Sequence, residues 1–305
     1  MRVVVALGGN ALLRRGEPMT ADNQRRNVRV AARALAGLSG EHELIVAHGN
    51  GPQVGLLALQ ALAYTEVAAY PLDVLGAESS GMIGYLIEQE LMNALPADTP
   101  CGTLLTQIEV ARDDPAFSAP TKPIGPVYDP AVMEQLRGEY GWDFVEEATG
   151  QWRRVVPSPL PRKLLQGGVI RLMVDSHVVV ICTGGGGIPV IRRPDGHLEG
   201  IEAVIDKDRA ASLLAQETGA DAFLMLTDVE AVYADWGTDR QRALGTVDPA
   251  TLEGMQFPAG SMGPKVESAC QFVRATGGVA GIGRLEDAAA ILAGEAGTLV
   301  KIADG

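Results

Sequence analysis

The chain has 305 residues, of which 47% are hydrophobic, and it carries a formal net charge of −13 at pH 7. This size and composition exclude a disordered or fibrous protein and allow a large buried core. The negative charge argues against binding to nucleic acid or to an anionic membrane, because both require a basic surface. No apolar run approaches the roughly 20 residues that cross a bilayer, so we expect a soluble, cytoplasmic protein.

The cysteines and histidines predict no disulfide framework and no metal site built from these residues. Cys101, Cys182 and Cys270 are far apart and form no CxxC pair. The four histidines form no HExxH or similar ligand pair. Metal sites made by such residues have characteristic short spacings, which this chain lacks.

Predicted strands and helices alternate along most of the chain. Residues 2–7 read as a buried strand, and a helix is expected to begin near Thr20 and to end at Gly40. A second strand at residues 42–47 precedes a helix whose first turn contains Pro52, a position that proline favours. Such alternation predicts an α/β fold with a mainly parallel sheet covered by helices. Further helices are predicted at residues 71–93, 164–174, 207–217 and 264–276, and further strands at residues 103–110, 177–182, 222–226, 279–282 and 298–302.

Residues 113–161 differ from the rest of the chain. Prolines are dense there and the hydrophobic periodicity weakens, which leaves little room for regular core elements. Trp142, Phe144 and Trp152 supply side chains that can pack, which argues against a disordered loop. We interpret residues 121–161 as a small subdomain or lid inserted into a single domain that spans residues 1–305.

Glycine-rich turns follow three of the predicted strands: Gly8-Gly9-Asn10, Gly49-Asn50-Gly51, and the four glycines at residues 184–187. Turns of this kind place backbone N–H groups and the positive end of a helix at the carboxyl edge of a parallel sheet, where anions bind. One such turn is ordinary, but three predict a shared anion-binding edge. The GxxxxGK[ST] motif of Walker-type NTPases is absent, and the ribose-binding acid of a dinucleotide site is missing.

Lysines are scarce in this chain, with only five among the 25 basic residues. Lys207 and Lys265 stand at the starts of predicted helices, and Lys122 lies in the proline-rich region. A compact ammonium group at a helix start can contact an anion where the broader guanidinium fork of arginine would not fit. Phosphoryl transfer requires the donor and acceptor to be held in line and their charge to be neutralised by lysine and Mg²⁺. These features are typical of a kinase.

Eight sequence blocks resemble those of the carbamate kinases, a branch of the amino-acid kinase family. They occur in the same order and are highly specific together, whereas GGN or LTDV alone would indicate only the wider family. The blocks are ALGGNALL (residues 6–13), VAHGNGPQVG (46–55), PTKPIGP (120–126), WRRVVPSP (152–159), CTGGGGIPV (182–190), EAVIDKD (202–208), LTDVEAVY (226–233) and PAGSMGPK (258–265).

The resemblance implies a three-layer αβα sandwich around a mostly parallel eight-stranded sheet, a small protruding subdomain, and a homodimer. It implies reversible phosphoryl transfer between carbamoyl phosphate and ADP, with Mg²⁺ held mainly by the nucleotide phosphates rather than by the protein. The implied catalytic residues are Lys122, Lys207, Asp208 and Lys265, with Asp208 orienting the lysines. The implied substrate-binding residues are Gly8, Gly9, Asn10, Gly49, Asn50 and Gly51, and the implied nucleotide-binding residues are Thr227, Asp228, Tyr233 and Met262.

Two alternative functions remain open at this point. One is a kinase of the same fold that acts on another small carboxylate, phosphate or phosphonate, although the block around Lys122 argues against it. The other is a sensor that binds nucleotide without turnover, which the intact lysines disfavour. Asp206 could also belong to the site, but capping a helix is a sufficient structural reason for an acid at that position.

Overall fold

A computed structural model describes residues 1–14, 16–258 and 262–303 of the chain. The helices are α1 (Ala21–Ser39), α2 (Gly51–Ala63), α3 (Leu72–Ala94), α4 (Pro130–Tyr140), α5 (Gly167–Asp175), α6 (Lys207–Thr218), α7 (Pro249–Glu253), α8 (Met262–Thr276) and α9 (Ala288–Ala293). The strands are β1 (Arg2–Leu7), β2 (Glu43–His48), β3 (Cys101–Thr103), β4 (Gln107–Val110), β5 (Lys122–Tyr128), β6 (Asp143–Ala148), β7 (Gln151–Val156), β8 (Pro161–Leu164), β9 (Val179–Ile181), β10 (Ile188–Arg192), β11 (Leu198–Gly200), β12 (Ala222–Thr227), β13 (Tyr233–Ala234), β14 (Arg242–Ala243), β15 (Thr246–Val247), β16 (Val279–Arg284) and β17 (Thr298–Val300).

The central sheet has eight strands in the order β15-β17-β16-β12-β1-β2-β9-β3. Neighbouring strands run parallel except for the pair β16 and β17, which is antiparallel. The sheet confirms the predicted α/β class with a mainly parallel eight-stranded sheet. Because parallel strands are buried on both faces, β1 is an unbroken apolar run after its first residue.

Helices cover both faces of the sheet and produce the three layers. Side chains alternate along a strand, so Val3 and Val5 pack on one face with residues of α1, α3 and α9. Val4 and Ala6 face the other side, where α5, α6 and α8 complete a second core. Thr20 caps α1 by accepting a hydrogen bond from the backbone N–H of Asn23. This bond satisfies one of the donors exposed at a helix start.

The proline-rich region contains more regular structure than its sequence predicts. Strands β5, β7 and β6 form a separate antiparallel sheet, hereafter the small sheet, with α4 beside it. The region therefore contains regular elements, and none of these three strands joins the central sheet. Its prolines are compatible with the sheet because Pro123 lies in an outer strand, where a missing N–H donor is tolerated. The aromatic side chains pack within this region, as shown by Arg154, which lies 3.7 Å from the ring centre of Trp142.

The predicted strand at residues 103–110 is also corrected. Two short strands occupy this stretch, and they belong to different sheets: β3 lies at the edge of the central sheet, whereas β4 pairs with β8 and β10. The chain leaves the central sheet between them, so one apolar stretch serves two sheets. Within the described residues, no helix is both long enough and apolar enough to span a membrane.

Candidate active site

The three glycine turns predicted from the sequence lie at one edge of the central sheet. They follow β1, β2 and β9, which are adjacent strands that run in the same direction. Gly8 donates a backbone hydrogen bond to the carbonyl of Leu226 at 2.8 Å, which ties the first turn to the end of β12. Gly9 and Asn10 continue into a single 3-10 turn, Gly9–Ala11, while the side chain of Asn10 lies outside the described part of the structure. The edge therefore brings backbone donors from separate strands together.

The second and third turns contact each other directly. A Cβ at Gly185 would overlap the side-chain amide of Asn50, and Gly185 also has a positive φ of 68°. Both conditions require glycine at this position. The Asn50 side chain is almost fully buried and donates a 2.8 Å hydrogen bond to the hydroxyl of Ser79 in α3. Asn50 thus holds the two turns together from behind, and its backbone begins helix α2, which starts at Gly51.

His48 packs beneath this junction and is neutral at physiological pH. Burial is the cause, and it lowers the pKa of His48 to about 4. The ring Nδ1 lies 3.0 Å from the carbonyl oxygen of Gly49, a geometry that fits an Nδ1–H donor in the neutral ring. His48 supports the Gly49 turn and adds no positive charge beneath it.

Two lysines and one aspartate form the centre of the site, hereafter the lysine cluster. Lys207 donates from Nζ to Oδ1 of Asp208 at 2.8 Å, and Lys265 donates from Nζ to Oδ2 of the same carboxylate at 2.9 Å. The Asp208 side chain is only 5% exposed, so these charges interact largely out of water. Lys207 and Asp208 lie in the first turn of α6, and Lys265 lies in the first turn of α8. The two predicted helix-start lysines therefore meet at one carboxylate.

Electrostatics keeps the carboxylate of the lysine cluster ionised. Burial alone would raise the pKa of Asp208, but the two ammonium groups outweigh burial and hold the pKa well below its usual range. Burial also opposes the charge on Lys207, where the attraction of Asp208 prevails and raises the pKa. For Lys265, burial and repulsion by Lys207 together lower the pKa despite the attraction of Asp208. The cluster carries more positive than negative charge, which suits an anionic ligand.

The lysine cluster connects the glycine turns to a cavity. On one side, a Cβ at Gly49 would lie 3.2 Å from Cδ of Lys207, so the lysine stem runs against this turn. On the other side, Lys265 lines a cavity of about 370 Å³. The residues predicted for nucleotide binding line the same cavity, namely Thr227, Asp228, Tyr233 and Met262.

Lys122 reaches the site from the small sheet. It is the first residue of β5, and its Nζ donates to Oδ2 of Asp206 at 2.6 Å. Asp206 caps α6, with Oδ1 accepting from the backbone N–H groups of Asp208 and Arg209 at 2.9 and 3.3 Å. The predicted capping function is therefore present, and an ion pair with Lys122 accompanies it.

Sequence reasoning missed two residues of this site. Ser79 fixes the Asn50 amide from the middle of α3, a position that carries no motif. Trp236 lines the cavity next to Tyr233, with ring centres 5.2 Å apart. An isolated tryptophan just beyond the LTDVEAVY block is the only signal that could have indicated it. Residues 259–261, part of the PAGSMGPK block, lie outside the described residues.

Comparison with known proteins places these features in context. Residues 1–282 match the sequence model of the amino acid kinase family. A carbamate kinase from Rhizobium meliloti strain 1021 is 53% identical over 99% of this chain and 93% of that protein. A carbamate kinase from Escherichia coli K12 is also 53% identical, over 98% of this chain and 99% of that protein.

The chain is also similar to a carbamate kinase of known structure. The carbamate kinase of Giardia lamblia bound to AMP-PNP superposes with a TM-score of 0.90 and 39% identity, and the match covers 98% of each chain. The likeness therefore extends over the central sheet, the small sheet and the candidate site alike.

Proposed function

The chain belongs to the amino acid kinase family, and from that premise we propose that its site performs the carbamate kinase reaction. The enzyme transfers a phosphoryl group reversibly between carbamoyl phosphate and ADP, giving ATP and carbamate, which breaks down to ammonia and CO₂. The observation that carries this function is the lysine cluster, because it joins the glycine turns to the cavity that Lys265 lines. A phosphoryl group that bridges two substrates must lie at such a junction.

The reaction needs little covalent help from the protein. The bond between phosphorus and the carbamate oxygen breaks while a bond forms from a terminal oxygen of the ADP β-phosphate to phosphorus, and no proton has to move. Catalysis then depends on alignment and on charge stabilisation. Lys207 faces the Gly49 turn and stabilises charge on the transferred group and the departing carbamate. Lys265 faces the cavity and stabilises the nucleotide phosphates.

Asp208 orients the two lysines and does not act as a general acid. Its carboxylate accepts one hydrogen bond from each of the two ammonium groups. Because the lysines hold the pKa of Asp208 well below its usual range, it has no proton to give near neutral pH. Its function is to fix two positive charges that would otherwise repel each other.

The remaining substrate contacts are assigned by position. In this proposal, the two turns formed by Gly8, Gly9 and Asn10 and by Gly49, Asn50 and Gly51 make the binding surface for the carbamoyl and phosphoryl oxygens, with Lys122 approaching from the small sheet. We assign residues 121–161 to an inserted subdomain of the single domain 1–305, and this subdomain covers the carbamoyl side. Thr227, Asp228, Tyr233 and Met262 hold the nucleotide in the cavity.

The Mg²⁺ ion enters with the nucleotide in this proposal. Among the described residues, no group of three or more histidine, cysteine or acidic side chains is arranged to hold a metal. Both oxygens of Asp208 already accept lysine hydrogen bonds, so this carboxylate is poorly placed to be a ligand. When bound, the ion would be held mainly by phosphate oxygens and would neutralise further charge during transfer.

The partners of the chain are its small-molecule substrates and a second copy of itself. We place the enzyme in the cytoplasm as a homodimer, in keeping with the resemblance drawn from the sequence. The net charge of −13 supports the absence of nucleic-acid partners. Light scattering coupled to size-exclusion chromatography would measure the mass directly, and a mass of one chain at working concentrations would contradict the dimer.

The decisive test is ATP formation from ADP and carbamoyl phosphate with Mg²⁺, measured beside a Lys207→Ala variant. We expect rapid ATP production by the wild type and loss of production in the variant. A folded wild type that makes no ATP from carbamoyl phosphate would overturn the proposal. Acetyl phosphate and other acyl phosphates would then test for a different kinase, and nucleotide binding without any transfer would indicate a sensor.

A further inference from the structure

Asp206 lies where the small sheet meets the lysine cluster. Its Oδ2 accepts a 2.6 Å hydrogen bond from Lys122 of β5. Its Oδ1 accepts the backbone N–H groups that start α6, the helix that carries Lys207 and Asp208. One carboxylate therefore contacts both the ammonium that arrives from the small sheet and the backbone that holds the lysine cluster.

The small sheet is held against the rest of the protein independently of this ion pair. A Cβ at Gly55 in α2 would overlap the backbone of Gly125 in β5, so the two backbones pass at close range. Ile124 and Val156 add apolar packing on Val54. Loss of the Asp206 charge would therefore leave the sheet docked and would free only the end of the Lys122 side chain.

The environment of Asp206 keeps its charge available for this contact. Burial alone would raise the pKa of Asp206, but the Lys122 ammonium outweighs burial and lowers the pKa. The Asp206 side chain is 14% exposed and that of Lys122 is 32% exposed, so water screens the pair only partly. The Lys122 side chain therefore keeps exposed surface through which it can contact a ligand.

We propose that Asp206 is the positioning residue for Lys122, holding its ammonium beside the lysine cluster so that it meets the carbamoyl phosphate. This inference rests on the proposed function. Asp206 touches no reacting atom: it acts through Lys122 and through the first turn of α6. Without the carboxylate, the long lysine side chain samples many rotamers, and binding of carbamoyl phosphate must order it again.

The variant Asp206→Asn separates this function from helix capping. Asparagine is as good an N-cap as aspartate, so the variant keeps the hydrogen bonds to the α6 backbone while it loses the charge that holds Lys122. We expect the KM for carbamoyl phosphate to rise roughly tenfold, the scale of one charged hydrogen bond. The KM for ADP and the thermal midpoint should stay close to those of the wild type. Asp206→Ser, which also caps, repeats the test if the asparagine variant does not fold.

A double-mutant cycle with Lys122→Met distinguishes positioning from a general structural effect. If Asp206 acts through Lys122, the Asp206→Asn change should add no further rise in KM when Lys122 is already methionine. The proposal would be overturned if the rise in KM caused by each substitution multiplied in the double variant. An unchanged KM in Asp206→Asn would also overturn it. These results differ from failure of the proposed function itself, in which the wild type would make no ATP from carbamoyl phosphate.

Discussion

Replacing Asp208 by asparagine is the sharpest test of the lysine cluster, because the change removes one charge and keeps the shape. Asp208 accepts hydrogen bonds from Lys207 and Lys265 at 2.8 and 2.9 Å while only 5% exposed. Removing one partner of a buried ion pair costs about 3–5 kcal/mol of stability. We expect the free energy of unfolding to fall by about 3 kcal/mol, near the lower end of that range, because the amide oxygen of asparagine still accepts a hydrogen bond from one lysine.

The same change alters how the rate depends on pH. In the wild type, Asp208 opposes the effects of burial and of Lys207, which lower the pKa of Lys265. Without the carboxylate, the pKa of Lys265 falls further, and the lysine loses its proton at a lower pH. The variant should lose at least about 10²-fold in turnover, the scale of one transition-state donor. Its remaining rate should decline with rising pH over a range where the wild-type rate is level.

Two measurements check this prediction: initial rates of ATP formation across neutral and alkaline pH, and the free energy of unfolding in urea. The depressed pKa of Asp208 stabilises the wild type above the unfolded pKa of about 3.9, so the stability gap to the variant should narrow below that pH. Asp98→Asn, the same change at an exposed position, is the control. Our account of the lysine cluster would be refuted if Asp208→Asn were as stable as the wild type and formed ATP at the wild-type rate at every pH.

Four further predictions follow from individual residues. Lys265→Arg keeps the charge but should lower turnover by about 10²-fold, because a broad guanidinium cannot reproduce the compact contact of the Lys265 Nζ with Oδ2 of Asp208; near-normal rates would mean that the centre is misplaced. Gly185→Ala should destabilise more than Gly219→Ala in thermal melts, since both glycines have a φ of 68° but only Gly185 faces the Asn50 amide; equal losses would remove the argument for a clash. Because burial lowers the pKa of His48 to about 4, the folded state should lose about 3 kcal/mol of stability as the pH falls from about 6.5 to about 4; urea unfolding of His48→Asn, which should lack this decline, supplies the comparison. Nucleotide should change the tryptophan fluorescence through Trp236, which lines the cavity, and a signal that persists in Trp236→Phe would exclude this ring as the reporter.

The amino-acid sequence determined the fold class because its signals are local. Apolar runs such as β1 and the helical spacing of α1 follow from the periodicity of side chains, which does not depend on distant contacts. The glycine turns and scarce lysines likewise indicated phosphate chemistry, and the ordered blocks identified the family that the comparisons confirm. The sequence did not predict that residues 103–110 are divided between two sheets. Strand pairing depends on partner strands that are distant in the chain.

Only the tertiary structure decided which charges meet. Lys207 and Lys265 are far apart in sequence, and their convergence on Asp208 depends on how α6 packs against α8. The sequence offered a capping function as a sufficient reason for Asp206, and the placement of β5 revealed its second contact with Lys122. Local patterns specify elements because backbone geometry repeats along the chain, whereas an ion pair between elements depends on packing that no local pattern records.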